Sequence, residues 1–257
     1  APLLYNLSII LAVLLLGDQY QVLAPAFGVV VGAALHMLIQ LLAAIRIGYR
    51  WQPILLVRDR ALQAIIRLMV PRSIGLGLNQ FLLLAFTNIS SALPAGSLSI
   101  YNFAQNIYTM PIVVFGHSFS TAIFPTLAEQ MSLNQRDSFV RYFAQAFRAI
   151  VFLLVPATIG LILLRAQVVR LVLGSGEFGP SETIQTLETL GILSLSMLPA
   201  ALVNLCNRGF YAIKNTTTPM WIILIQTVFG IGIAAAITPF LSVSGLAWAL
   251  TASIYLQ

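Results

Sequence analysis

SIGLGLNQFLLLAFTNISSALPAGSLSIYNFAQNIYTMPIVVFGHSFSTAIFPTLA, residues 73–128, contains no Asp, Glu, Lys or Arg. A membrane-spanning helix needs about 20 mostly apolar residues, so a run of this length holds two spans. The turn between them is Leu93-Pro94-Ala95-Gly96-Ser97, where proline and glycine fall close together. Strands of an outer-membrane barrel would alternate polar and apolar at every second position. That alternation is absent here, and the class is all-α.

The rest of the chain has the same character. Of 257 residues, 59% are hydrophobic and only 8% charged, with a mean hydropathy of +0.94. Soluble domains carry roughly 25% charged residues, enough for a polar skin that this chain cannot make. Further uncharged runs cover 19–45, 189–207 and 215–257. Apolar runs cut at turn signals predict a polytopic membrane helix bundle of about eight transmembrane helices. They fall near 2–17, 24–45, 73–92, 100–126, 149–165, 186–207, 217–238 and 244–257. A further turn is expected at Gly174 to Pro180. The chain opens at Ala1 and closes at Gln257 within an apolar stretch, and is expected to be an internal piece of a longer protein.

Charge sets the orientation. Arg46, Arg50, Arg58, Arg60, Arg67, Arg72, Arg136, Arg141, Arg148, Arg208 and Lys214 fall in one set of alternate connections, and of the 13 basic residues only Arg165 and Arg170 fall in the other. Excess Lys and Arg mark cytoplasmic loops, so the first set faces the cytoplasm. This also accounts for the net charge of +6 without nucleic acid. Two cytoplasmic stretches have amphipathic helical spacing: Leu62, Ile65, Ile66 and Met69, and then Phe139, Phe143 and Phe147. Both are expected as helices lying on the membrane surface.

Polar side chains at membrane depth are costly and usually face protein or a watery cavity. Asn102, Asn106, Thr109, His117 and Ser120 follow helical spacing along one face, with Gln105 beside it. Asn79, Gln80, Thr87, Asn88 and Ser91 make a second patch on the preceding span, its antiparallel neighbour. Any one of these residues also serves as interhelical glue, but two such patches together favour a hydrophilic cavity. His117 is a candidate for proton coupling, against the commoner role of a hydrogen-bonded structural histidine; His36 has the same ambiguity. Pro111, Pro125, Pro156 and Pro199 are expected to kink their helices.

Enzyme chemistry is poorly provided for. There is no HExxH, no Walker-type loop and no paired-carboxylate motif for Mg²⁺. Asp18, Asp59, Glu129, Asp137, Glu177, Glu182 and Glu188 fall in loops or at span ends. The lone Cys206 excludes a disulfide framework. No metal site, catalytic residue or bound cofactor is expected, beyond a coupling ion or the membrane potential.

Particular strings resemble the MurJ/MviN family of lipid II flippases. They are Pro71-Arg72-Ser73-Ile74-Gly75 with Asn79-Gln80, the Leu93 to Ser97 turn, and YNFAQNIYTMP at Tyr101 to Pro111 with Gly116 and Phe124-Pro125. Pro156 with Gly160, GSGEF at Gly174 to Phe178, Phe210-Tyr211-Ala212, TTTP at Thr216 to Pro219 and Gly245-Leu246-Ala247 come next, in family order. The resemblance implies a fourteen-helix, two-lobed fold of the multidrug/oligosaccharidyl-lipid/polysaccharide exporter superfamily. Residues 1–45 would be the last two helices of the first bundle, 46–72 a basic cytoplasmic connector with an interfacial helix, and 73–257 the second six-helix bundle, its last helix truncated. One position departs from the pattern: where the family has an arginine after the Leu-Pro-x-Gly-Ser turn, this chain has Asn106.

The resemblance implies a flippase moving lipid-linked peptidoglycan precursor to the outer leaflet of the bacterial cytoplasmic membrane by alternating access, in cell-wall biosynthesis. Its partners would be a polyprenyl-diphosphate-linked saccharide, membrane lipid and cell-wall synthesis proteins. Asn79, Gln80, Asn102, Gln105 and Asn106 are expected to line the cavity, since amides both donate to and accept from sugars. Arg72 is the candidate phosphate contact at the entrance. The alternatives are a related exporter of another lipid-linked saccharide or a drug, or a transport-incompetent scaffold for cell-wall enzymes.

Overall fold

A computed structural model describes residues 2–21, 23–49, 59–173 and 180–257, all of it helix and short turns, with no strand among them. Arg50, Arg58 and the expected turn at 174–179 lie outside the described residues. Backbone contacts divide the chain into Ala1–Val57 and Arg58–Gln257.

The first unit is a helical pair, α1 (Pro2–Tyr20) and α2 (Leu23–Arg46). Lipid gives apolar helices no hydrophobic reason to associate, so close packing must hold them together. Gly28 and Gly32, four residues apart in α2, provide it. A Cβ on Gly28 would lie 2.6 Å from the Ile9 Cα, and one on Gly32 would lie 3.1 Å from the Tyr5 Cα. The backbones touch because these positions have no side chain. α2 ends in a Schellman turn, with Tyr49 N–H donating to the Ala44 carbonyl and Gly48 at φ 90°.

The second unit contains α3 (Arg60–Ser91), α4 (Ser97–Pro111), a π-helical segment (Ile112–His117), α5 (Ser118–Ser132), α6 (Arg136–Leu173), α7 (Pro180–Leu195), α8 (Met197–Ala212) and α9 (Thr217–Leu256). The eight expected spans lie along these helices or α1 and α2 to within a residue at their ends, the one at 100–126 covering parts of α4 and α5 with the π segment between them and the one at 186–207 covering parts of α7 and α8. The two surface helices do not stand apart. Residues 60–72 are the first turns of α3, and 136–148 are the first turns of α6. At 1.5 Å per residue, α3 is about 48 Å long and α6 about 57 Å, against a hydrocarbon core of about 30 Å. Their amphipathic ends therefore continue the spans beyond the apolar layer. In the same way the expected boundary at 72/73 falls inside a helix, which passes through Pro71 unbroken.

Other helices break where backbone chemistry requires it. The π segment begins directly after Pro111, whose missing N–H interrupts the i→i−4 ladder. α7 and α8 meet at Ser196 with a 43° bend, and Pro199 sits in the first turn of α8. α9 holds two of the expected spans, separated by a kink at Ser242 (φ 51°, ψ −133°). Pro125 and Pro156 lie within α5 and α6 without ending them.

Two cores hold this unit. Tyr108, Ile112, Ile150, Leu154, Leu193 and Met197 form one, with Ala104 and Ala201 letting their helices approach. Leu82, Phe86, Tyr101, Ala234 and Leu246 form the other, where α3 packs on α9. α5 and α8 also end in Schellman turns, with Asn134 (φ 57°) and Lys214 (φ 59°) at the left-handed position. At Lys214 the pattern is complete, Asn215 N–H donating to the Phe210 carbonyl and Lys214 N–H to the Tyr211 carbonyl. Glycine usually occupies such a position, and a residue with a Cβ gives up roughly 1–2 kcal/mol there.

Candidate functional site

The helical repeat sorts the residues of α3 by chemistry. Gly75, Leu82, Phe86 and Ser90 are buried, while Asn79, Gln80, Thr87, Asn88 and Ser91 are exposed. The same sorting operates in α4. Ser97, Ile100, Tyr101, Ala104 and Tyr108 are buried, Asn102 and Asn106 are exposed, and Gln105 is half-buried. An edge contact between the Phe86 and Tyr101 rings, 6.2 Å between centroids, sets the register of α3 against α4. Counting away from it along the two antiparallel helices brings Asn79 and Gln80 to the level of Asn106 to Tyr108.

The polar residues then fall into two groups. Two of the hydroxyls satisfy themselves on their own helix: Thr87 donates to the Leu83 carbonyl at 2.9 Å and Ser91 to the Asn88 carbonyl at 2.7 Å. Such groups are cheap at membrane depth. The amides of Asn79, Gln80, Asn102, Gln105 and Asn106 make no hydrogen bond among the described residues. An amide facing hydrocarbon with no partner costs several kcal/mol. That penalty is avoided where the face meets water, a polar ligand or other protein.

Below Pro111 the helix departs from the expected pattern. The π segment adds residues to a turn and so rotates the helix beyond it. Ser120 is therefore fully buried and donates to the Gly116 carbonyl at 2.6 Å, not on the polar face where regular spacing puts it. His117 and Thr121 are exposed, with His117 Nδ1 3.5 Å from the Thr121 hydroxyl. The buried side here is Gly116, where an added Cβ would lie 2.6 Å from the Cβ of Ala201 in α8. His36, in α2, pairs with Gln40 of its own helix at 2.7 Å.

Arg72 lies in the N-terminal half of α3, its guanidinium 5.3 Å from the centroid of the Tyr211 ring. Two features escaped the sequence. Arg208 donates to the Thr121 hydroxyl at 3.4 Å and lies 5.6 Å from the centroid of the Phe124 ring, joining α8 to α5 beside His117. Gln226 in α9 is buried, and its side-chain oxygen has no partner. It is the only amide side chain between Asn215 and Gln257, which was the available signal. Among the described residues no group of three or more His, Cys, Asp and Glu is placed to hold a metal ion.

Arg72 of α3, Phe124 of α5 and Tyr211 near the end of α8 line one cleft, while Arg165 shares another with Glu188 and the α9 kink. Among the described residues, five helices are long and apolar enough to cross a membrane, or six if α7 and α8 count as one span. The chain is a multi-pass membrane protein.

Comparison with known proteins agrees with this architecture. A solved structure described as lipid II flippase MurJ in an inward closed conformation superposes with a TM-score of 0.75 over 98% of this chain and 52% of its own, at 22% identity. An outward-facing multidrug resistance MATE family transporter superposes with a TM-score of 0.67 over 75% of this chain and 42% of its own, at 18% identity. At these identities the likeness speaks to the fold alone. Among curated relatives, "Probable lipid II flippase MurJ" of Haemophilus influenzae is 30% identical, covering all of this chain and 52% of that protein. The protein of the same description in Vibrio cholerae is 28% identical, covering all of this chain and 49% of that protein. The chain thus spans about half the length of the curated relatives it matches. The family model described as Lipid II flippase MurJ matches residues 1–257, and the chain belongs to that family.

Proposed function

We propose that the protein containing this chain translocates lipid II, the lipid-linked peptidoglycan precursor, from the cytoplasmic to the outer leaflet of the bacterial cytoplasmic membrane by alternating access. The observation that carries this is the amide face of α3 and α4: Asn79, Gln80, Asn102, Gln105 and Asn106, mostly exposed and without hydrogen-bond partners. Amides offer donors and acceptors to a sugar–peptide headgroup while it crosses a region with no water of its own. Asn106 adds no charge where the family resemblance leads one to expect arginine, so phosphate recognition falls to other cations, Arg72 among them. The polyprenyl tail stays in lipid as the headgroup moves. Transport draws on a coupling ion or the membrane potential, without a bound cofactor or catalytic step, and His117 is a candidate in that coupling. Cell-wall synthesis proteins are the expected partners.

The test uses the full-length parent in bacteria depleted of their own lipid II flippase, with a membrane-impermeant probe reporting lipid II on the outer leaflet. The expected result is restored exposure that falls at least tenfold in a Gln105→Leu/Asn106→Leu variant inserted at the same level. No exposure from the stably inserted parent would overturn the proposal.

A further inference from the structure

Two clefts open side by side between the first turns of α3 and the α8–α9 connection. One, of about 410 Å³, is lined by Arg67, Lys214, Asn215 and Thr217 among others. Its neighbour, of about 220 Å³, has Arg72 and Tyr211 on one side and the apolar Ile65, Met69 and Phe124 on the other. Leu68, Lys214 and Thr216 line both. Each cleft therefore has its own arginine, and one lysine lies between them. Among the described residues neither is lined by a carboxylate. Arg72 is held by the Tyr211 ring, and Arg208 lies over the Phe124 ring at the edge of the smaller cleft.

Excess cytoplasmic cations alone need none of this order. Positive-inside charge works equally well from side chains free in water, whereas here the charges are gathered around two adjoining hollows that no carboxylate among the described residues lines. Lys214 also occupies a left-handed position (φ 59°) where glycine fits with less strain. Backbone strain of this kind tends to be kept where the side chain has a task.

We propose that these clefts form one binding site for a diphosphate ester, outside the amide face and at its cytoplasmic end. One phosphate sits by Arg67 and the other by Arg72, with Lys214 between them. The apolar wall of the smaller cleft receives the first isoprenoid carbons. The site deepens the flippase reading, on which it rests only for the identity of the lipid: it supplies cations for a headgroup that meets no charge at Asn106. Anionic phospholipid headgroups share the phosphate chemistry, and the experiment separates the two sources.

Full-length protein in neutral detergent is titrated with farnesyl diphosphate, farnesyl monophosphate and inorganic pyrophosphate, and separately, in nanodiscs, with cardiolipin as competitor. The expected result is diphosphate binding at least tenfold tighter than monophosphate, with pyrophosphate intermediate. Arg72→Gln and Lys214→Gly should each weaken diphosphate binding tenfold or more. Lys214→Gly relaxes the backbone, so it should melt no lower than the parent, which separates lost binding from lost fold. Arg141→Gln removes a cation that lines neither cleft and should change nothing. Equal binding of mono- and diphosphate, or unchanged affinity in Lys214→Gly, would overturn the site. So would cardiolipin binding that depends on Lys214 where farnesyl diphosphate binding does not. Diphosphate binding intact in a protein that moves no lipid II would instead count against the flippase reading and leave the site standing.

Discussion

Asn106 and Gly116 are ten residues apart on one helical rod, yet their substitutions should behave oppositely. Asn106 is exposed and unpaired, so Asn106→Leu removes a polar group without opening a cavity or breaking a hydrogen bond. Its thermal midpoint should stay within about 2 °C of the parent while lipid II exposure drops. A fall in stability instead would mean that the amide is interhelical glue. Gly116 meets Ala201 with no room for a methyl group, at 2.6 Å from Cβ to Cβ. Gly116→Ala should destabilise by about 1–3 kcal/mol through overpacking, and adding Ala201→Gly should recover most of the loss. Unfolding of the two single variants and the double variant in detergent measures that coupling.

Among the elements, the α1–α2 pair depends most on small residues. Gly28→Leu would drive a side chain into the Ile9 backbone and should separate the helices. Gly17→Ala, with nothing within 4 Å of the added methyl group, should not. Cysteine cross-linking between α1 and α2 in the membrane would distinguish these outcomes. The spacing of Gly28 and Gly32 is a close-packing signal present in the sequence, but long apolar runs announce spans before they announce contacts. Helix existence was legible throughout, since uncharged length alone decides it. Helix continuity was not. The amphipathic spacing of Leu62 to Met69 is the same whether residues 60–72 lie flat or extend a span, and only the unbroken backbone at Pro71 decides. The π segment has no pattern beyond Pro111, so regular helical spacing puts Ser120 on the wrong side. The polar patches were legible from composition. The hold of Tyr211 on Arg72 was not, because it joins residues far apart in the chain.

At the scale of the whole molecule, exposed surface is of two kinds. Apolar positions such as Leu84, Phe152 and Leu163 are exposed, and in the proposed mechanism they face lipid or other protein. In the proposed mechanism, Asn79, Asn102 and Asn106 are exposed because the headgroup path runs along them. The full-length protein should therefore have a face of α3 and α4 that water reaches from each side in turn, while the remaining helical surface stays dry. Alternating access requires this, and a static scaffold does not. The most direct measurement places single cysteines at Asn106 and at Leu163 of the full-length protein, with the exposed Cys206 replaced by serine. Membrane-impermeant maleimide is then applied from either side. Labelling of the cysteine at 106 from both the cytoplasmic and the outer side, competed by lipid II and absent at 163, is the predicted result. A cysteine at 106 that is unreactive from both sides, or reactive from one side only under all conditions, would contradict alternating access along this face.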